Sequence, residues 1–481
     1  MRDLPALVPS GSVPIRAPAP LDPELSYRFG PAKWQIRTLI AGLATLGIAA
    51  LLIPLILTTA LAWALFGVFF LLVLWRALLV LAGFARRMLD TPGAPEPPQA
   101  LEWPIYSILI PLYQEAALVD QLAAALWRLD WPIDRLDIQV LLEADDAETL
   151  AAVKAARFPP GTRHIVVPPG GPRTKPHALN AGLATARGRF LTVYDAEDIP
   201  HPDQLIAAYD AFRRAPADTV CFQAPLIAEN AQKSWLAAQW GLEYQVQFGL
   251  LLPALATYEM PLLIGGTSNH FRTSALQALG GWDAWNVTED ADLGMRIARA
   301  GMRCGTLQVP TGEDAPTGLF VWLRQRSRWI KGFMQTWLVL MREPRRTQRQ
   351  MGTIPFLTMH LNLGGAILAP IAHAPCVLCL SFAVLAGDQN VGIFGLSLLI
   401  AALFVGALGD LLAPGDWTLS RVIALLTRPL YWPLLTVAAV RAIWELVVDP
   451  FFWAKTPHSP RAAESLTPCL IGSSASASPS P

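Results

Sequence analysis

The chain has 481 residues, 53% of them hydrophobic and only 15% charged. It is longer than one ordinary soluble domain and too apolar to be wholly water-borne, which points to a soluble domain mounted on membrane helices. Lysine plus arginine and aspartate plus glutamate balance at 37 each, so no global field favours nucleic acid, and nucleic acid is not expected as a partner.

In chain order, residues 1–37 are rich in Pro and Ala at first and lack the compact apolar core of a cleavable signal peptide. They read as a disordered cytoplasmic tail. Residues 38–84 are apolar enough for a hairpin of two spans of about 20 residues each, with Pro54 and the Thr58-Thr59 pair marking the turn. Lys33 and Arg37 before the hairpin and Arg86 and Arg87 after it are the cations expected on the cytoplasmic side, so the following domain should face the cytosol. Arg76, inside the second span, either snorkels, lines a polar passage, or marks an early end of the span. Residues 85–100 read as a Pro-rich linker.

Beyond the linker, short apolar runs at 105–111, 137–142, 164–167 and 190–194 read as buried strands. Between them, 116–129, 145–156 and 178–186 have helical spacing. The alternation predicts an α/β, Rossmann-like, mostly parallel sheet with a ligand beyond the carboxyl ends of its strands. Residues 319–341 predict a helix running toward the membrane, and 354–448 supply three or four further spans, for a total of five or six. Pro370, His373 and Pro375 leave two readings of the first of these, one bent span or an interfacial helix plus a span. Residues 449–481 form a cytosolic tail. Five cysteines in an odd, scattered set read as buried small hydrophobes, not as a disulfide framework or zinc site.

Three acidic groups fall where strands run into loops, which in a doubly wound sheet converge on one crevice. These are Glu115 in PLYQE, Glu143, Asp145 and Asp146 in LLEADDAET, and Asp195, Glu197 and Asp198 in VYDAED. The last set offers hard oxygens suited to a divalent cation, Mg or Mn, that bridges phosphates, although a solvated loop would read the same way. Glu143 suits a base or ribose; Asp145 and Asp146 serve equally as N-terminal charges of the next helix. In GGPRTKPHALNAG, Gly170, Gly171 and Lys175 could bring amides and a cation to a diphosphate, or form a plain basic loop. LIGGTSNHFR, with Gly266 and Thr267, offers a tight turn and short hydrogen-bonding side chains for sugar hydroxyls. WNVTEDADLGMR puts Glu289 and Asp290 at a helix start, with Thr288 as an expected cap, and a fixed carboxylate there is suited to general-base work. In QRSRW, Gln325, Arg326, Arg328 and Trp329 combine guanidinium groups with an indole, suited to a sugar diphosphate and a sugar ring.

DAED, then TED, then QRSRW, between membrane helices, resembles the family 2 glycosyltransferases, specifically the membrane-embedded processive branch that includes cellulose, chitin and hyaluronan synthases. The resemblance covers roughly residues 105–345 and, more loosely, the flanking helices. It implies a GT-A glycosyltransferase domain over 101–345 with an interfacial helix at 319–341. It further implies a nucleotide-sugar donor, UDP-linked, held by Glu115, Glu143, Asp145, Lys175, Asp195, Glu197, Gln325, Arg326 and Arg328. Asp195 and Glu197 would serve the metal, Asp290 would be the general base with Glu289 beside it, and Gly266, Thr267 and Trp329 would meet the acceptor. The motif departs from the family by ending in Glu197 in place of Asp, and LEADD replaces the commoner acidic pair. FFWAKT (451–456) is loosely similar to a gating segment, with Lys455 equally read as a basic flank of the last span.

The activity expected is inverting transfer to a growing, β-linked polysaccharide at the inner (plasma) membrane, with export-partner subunits as companions. The alternatives are single addition to a lipid or other acceptor, a transporter with a nucleotide-sugar-binding regulatory domain, and a non-catalytic sensor of nucleotide sugars.

Overall fold

The computed structural model describes residues 20–89, 103–167, 171–172, 174–453 and 460. The expectations for residues 1–19, 90–102, Gly170, Lys455 and 461–481 lie outside the described residues. Ten strands are described: β1 (Tyr106–Leu112), β2 (Leu136–Glu143), β3 (Arg163–Val167), β4 (Phe190–Val193), β5 (Ile199–Pro200), β6 (Thr219–Gln223), β7 (Leu226–Ala228), β8 (Asn269–Arg272), β9 (Arg303–Thr306) and β10 (Thr311–Glu313). Seven form one sheet in the order β3-β2-β1-β4-β8-β6-β9, while β5-β10-β7 make a small second sheet. In the seven-stranded sheet the pairings β1 with β2, β2 with β3, β1 with β4 and β6 with β9 are parallel, and β8 alone runs against its neighbours.

Seventeen α-helices accompany them. The hairpin is α1 (Lys33–Leu52) and α2 (Pro54–Leu89). The catalytic half holds α3 (Val119–Trp127), α4 (Ala147–Ala155), α5 (Lys175–Leu183), α6 (Gln204–Arg214), α7 (Trp235–Val246), α8 (Leu252–Thr257), α9 (Thr273–Ala278), α10 (Glu289–Arg299) and α11 (Leu319–Leu340). There follow α12 (Pro344–Met351), α13 (Thr353–Met359), α14 (Gly365–Leu385), α15 (Gln389–Leu412), α16 (Leu419–Leu426) and α17 (Arg428–Val448). Among the described residues five stretches are long and apolar enough to cross a membrane: Lys33–Leu52, Ile56–Leu89, Thr353–Leu385, Gln389–Leu412 and Arg428–Val448. The third joins α13 to α14 through a π-helical turn, His360–Gly364, so it runs as one span with an irregularity where the sequence left two readings.

The sheet is apolar on both faces because both are covered. Ile108 and Ile110 of β1 pack with Leu122 of α3 and Leu205 of α6, whereas Leu109 packs with Leu179 and Leu183 of α5. Alternate residues of a strand point to opposite faces, so a doubly covered strand must be hydrophobic throughout. The architecture is the expected GT-A-like α/β fold with apolar helices on either side in sequence.

Three local features differ from the sequence reading. Residues 20–37 are ordered: Ser26 Oγ and the Tyr27 amide donate to Asp283 at 2.8 Å each, Tyr27 is buried, and α1 begins at Lys33. That anchor joins residues 256 and 257 positions apart, which no local pattern announces. Second, α2 continues to Leu89, so the hairpin does not end at residue 84 and Arg76 does not end a span. Third, Thr288 precedes α10 but makes no capping bond; its amide donates to Asn286 Oδ1 at 2.9 Å.

Candidate active site

The carboxyl ends of β1, β2 and β4 open onto a cavity of about 740 Å³ that continues between α2, α14, α15 and α17. Its wall includes Glu115, Glu143, Lys175, Asp195, Glu197, Gly266, Thr267, Glu289, Asp290, Gln325, Arg326, Arg328 and Trp329. Of the residues read from sequence as site candidates, Gly171, Asp198 and Asp146 stand outside this wall, as does Asp145, which is exposed. Its neighbour Asp146 caps α4, accepting from the Thr149 amide at 3.1 Å and also from the Gln114 amide.

At the end of β4, Asp195 pairs with Lys175 Nζ at 2.5 Å, and the same ammonium donates to the Gly266 carbonyl at 2.7 Å. Asp198 accepts from the Asp195 amide at 2.7 Å and from the Thr267 hydroxyl, which ties the acidic turn to the glycine turn. Thr267 therefore fixes the acidic loop from within. The next residue, Ser268, has φ of 56°, a left-handed conformation costly for a non-glycine, and its hydroxyl donates to Thr311 Oγ1 at 2.7 Å.

Burial, then repulsion from Asp195, Asp198 and Glu115, holds the Glu197 carboxyl well above the ordinary range. Burial, then Asp195, pushes Asp198 up to about 7 against the opposing bond from Thr267. At the start of α10, burial followed by Asp290 raises Glu289 to about 8, with Lys175 and Arg328 opposing. Asp290 is raised as well, chiefly by burial, although its Oδ1 accepts from the Ala291 amide at 2.8 Å. Burial pulls the Lys175 ammonium down, but Asp195 and Glu289 outweigh it, so the lysine remains charged.

The basic wall comes from α11. Gln325 Oε1, Arg326 Nε and Arg328 Nε are buried without a hydrogen-bond partner among the described residues. Buried polar atoms are normally satisfied, so three orphans on one cavity wall point to a polar ligand. The guanidinium of Arg326 lies 4.1 Å from the Trp240 ring and 4.8 Å from that of Trp329, and it is ion-paired to Glu243. Trp329 itself packs on Trp240 at 4.9 Å between centroids. Arg328 is the guanidinium whose charge Glu289 and Asp290 feel, and it lies 4.6 Å from the Trp453 ring. Trp453 is held there because Lys331 donates to the Phe452 carbonyl at 2.9 Å and Gln335 to the Pro450 carbonyl at 2.8 Å.

Sequence reasoning missed Glu313, Glu243 and Tyr244, all on the cavity wall, and singled out Trp453, also on that wall, only as part of the FFWAKT segment. Glu313 ends β10, and burial followed by Asp198 pushes it up to about 8. Its signal was the TGED run at a strand end, the same cue that marked the other acids. Glu243 and Tyr244 sit in the interior of an apolar helix and carried no cue.

Residues 104–332 match the family described as glycosyltransferase like family 2. They are a family 2 glycosyltransferase domain. Over 289 residues the chain is 27% identical to a probable glycosyltransferase of Bacillus subtilis, an alignment covering 54% of this chain and 63% of that protein. It is 27% identical to a probable glucomannan 4-beta-mannosyltransferase of Arabidopsis thaliana (48% of this chain, 43% of the relative). It is 24% identical to a beta-monoglucosyldiacylglycerol synthase of Synechocystis (56% of this chain, 57% of the relative). The chain thus spans less than two thirds of the length of each. Among solved structures, a mannosyltransferase from Pyrobaculum calidifontis, in complex with GDP-Man and Mn2+, superposes with a TM-score of 0.53 at 21% identity. That superposition covers 82% of this chain and 98% of the other, and shows that the two share a fold. The carboxylates, Lys175 and the arginines described above surround the crevice beyond the carboxyl ends of the strands, where ligands bind in doubly wound sheets.

Proposed function

We propose that the chain is an inverting glycosyltransferase of the plasma membrane, its catalytic domain cytosolic, that moves a hexosyl group from a UDP-linked donor to an acceptor reaching the site through the helix bundle. The observation that carries this reading is the single cavity running from Asp195, Glu289 and Asp290 to α2, α15 and α17. Arg86 and Arg87 at the end of α2 support the cytosolic orientation. Glu143, half-buried at the end of β2, is placed to accept from the nucleoside, and Lys175 and Arg328 to meet the diphosphate.

A divalent cation fits the donor set: Asp195 and Glu197 give hard oxygens, and the raised Glu197 and the unsatisfied Asp198 Oδ1 are signs of an acidic cluster short of positive charge. Among the described residues no three His, Cys, Asp or Glu side chains close a metal site alone, so phosphate oxygens of the donor would complete the shell. Such an ion supplies charge stabilisation on the leaving diphosphate. Asp290 takes the acceptor proton as the acceptor oxygen attacks the anomeric carbon opposite the departing nucleotide. Arg328 and Lys175 stabilise the charge left on it.

Two acceptors fit. A lipid receiving a single sugar is favoured by the aliphatic wall that Leu72, Val73, Val405 and Leu435 give the bundle half of the cavity. A growing β-linked polysaccharide, leaving with the help of export partners, is supported by Trp75, Trp329 and Trp432 along the same passage and by the glucomannan relative. Incubating the purified chain with radiolabelled UDP- and GDP-sugars and sizing the product tests all of this. Release of no nucleoside diphosphate from any donor overturns the enzyme reading, and solute flux without turnover would favour a transporter.

A further inference from the structure

Arg76 is left without a role by the chemistry above. It projects from α2 into the cavity and makes no hydrogen bond or ion pair among the described residues. The carboxylates whose charge reaches it are Asp410 and Glu243, and each already has an arginine. Asp410 pairs with Arg428 at 2.9 Å, while Arg428 also donates to Gln239 Oε1 at 3.0 Å. Glu243 pairs with Arg326 and accepts from the Tyr431 hydroxyl at 3.0 Å. The second oxygen of Asp410 is unsatisfied, but Asp410 is fully buried and off the cavity wall, whereas Arg76 faces into it. Three guanidinium groups on the cavity wall therefore stand against two carboxylates, and Arg76 is the one of the three without a carboxylate of its own.

Its depth identifies the partner. About 20 residues at about 1.5 Å each cross the hydrocarbon core, so α2, starting at Pro54, leaves that core near Leu74 on the catalytic-domain side. Beyond it, Gly83 packs against the Leu250 backbone of the catalytic half. Arg76 thus lies where a bilayer has its phosphates, with Leu72 and Val73 on the tail side.

We propose that Arg76 holds the phosphate of a lipid whose chains occupy the bundle half of the cavity, so that the acceptor is a phosphate-bearing lipid and not a neutral one. The inference rests on the lipid-acceptor reading and adds the charge of the headgroup. A neutral diacylglycerol would leave the guanidinium unpaired at the edge of an apolar chamber, whereas a phosphate accepts its fork of donors.

The test uses the full chain in detergent, titrated with phosphatidic acid or diacylglycerol bearing brominated acyl chains. Quenching of the cavity tryptophans, Trp75, Trp329 and Trp432, reports occupancy. A charge-assisted pair implies half-saturation by phosphatidic acid at a concentration about ten-fold lower than by diacylglycerol. Arg76→Gln abolishes that preference, Arg76→Lys keeps part of it as a check against misfolding, and millimolar inorganic phosphate does not displace the lipid. Equal half-saturation in the parent chain, or an undiminished preference in Arg76→Gln, overturns the proposal; displacement by inorganic phosphate reassigns Arg76 to a free anion and overturns its lipid part. The radiolabelled product separates the two levels. A polymer in place of a glycolipid overturns the acceptor reading, while a glycolipid formed with quenching indifferent to Arg76 overturns only this inference.

Discussion

Replacing Asp290 by Asn tests the general base without disturbing the packing around it. Asn has nearly the same volume, and its amide oxygen can keep the 2.8 Å bond from the Ala291 amide. The carboxylate faces the glycine turn: a methyl group on Gly266 would stand 3.4 Å from Asp290 Oδ2 and 3.5 Å from Lys175 Nζ, so the variant fits where the parent does. What changes is the capacity to accept a proton. A positioned general base is worth about 100- to 10,000-fold in rate, which is about 2.7–5.5 kcal/mol at about 1.4 kcal/mol per decade. The folded state loses nothing in return, because burial raises the Asp290 pKa and ionised Asp290 is therefore a cost to folding at neutral pH. The expected outcome is a fall in kcat of at least 100-fold, with the donor KM within about three-fold and the melting temperature unchanged or higher. Steady-state release of nucleoside diphosphate at saturating acceptor, with a thermal melt of the same sample, measures all three. A kcat within ten-fold of the parent removes Asp290 as the base, and a fall in melting temperature assigns the loss to folding.

Glu289 makes a prediction about pH. Its folded pKa of about 8 lies above the ordinary carboxyl value, so its contribution to stability is full below the unfolded value and is lost as pH rises toward about 8. Glu289→Gln should therefore flatten the fall in melting temperature between pH 5 and 9, and parallel curves for parent and variant refute the assignment. Chelation of divalent cations should stop transfer and readdition of Mn or Mg restore it; turnover that persists under chelation removes the metal role of Asp195 and Glu197. Gly332→Ala puts a methyl group within 2.7 Å of Thr288 Cβ, between α11 and the start of α10. Overpacking of this kind costs about 1–3 kcal/mol, and displacing Glu289 and Asp290 should lower kcat as well, so an unchanged melting temperature with full activity would show that the contact yields freely.

Strands β1, β2 and β4 were legible because they are buried on both faces and read as largely apolar runs, whereas β3, at the sheet edge with Val166 exposed, was legible only from the local run Ile165, Val166 and Val167. Strand β6 is as long as β3 and fully buried, but its run TVCFQ mixes polar and apolar residues; β7 to β10 span only three or four residues each, and β8 is antiparallel between two neighbours. The same contrast governs the site. Asp195, Glu197, Glu289 and Asp290 announce themselves because strand ends and helix starts concentrate acids locally. Glu243 reaches the cavity from the interior of α7, and its meaning depends on Arg326, 83 residues away. Asp145 shares a motif with Glu143 yet is exposed and off the cavity wall, next to the helix cap at Asp146.

The charge distribution also constrains how a donor can enter. Glu115, Asp195, Glu197 and Glu313 crowd one end of the cavity with Asp198 buried beside them, and the positive charge against them there is Lys175, already committed to Asp195. A bare diphosphate approaching that end would meet Glu197, Asp198 and Glu313, which burial first and their mutual repulsion second already hold toward protonation. A diphosphate brought in with a divalent cation is close to neutral, and it would relieve that repulsion where the bare anion would add to it. The acidic cluster and the dependence on a cation are on this view one property. Charge-removing changes at Glu197 should accordingly weaken cation dependence and donor binding together, and a variant that lost one while keeping the other would break the link.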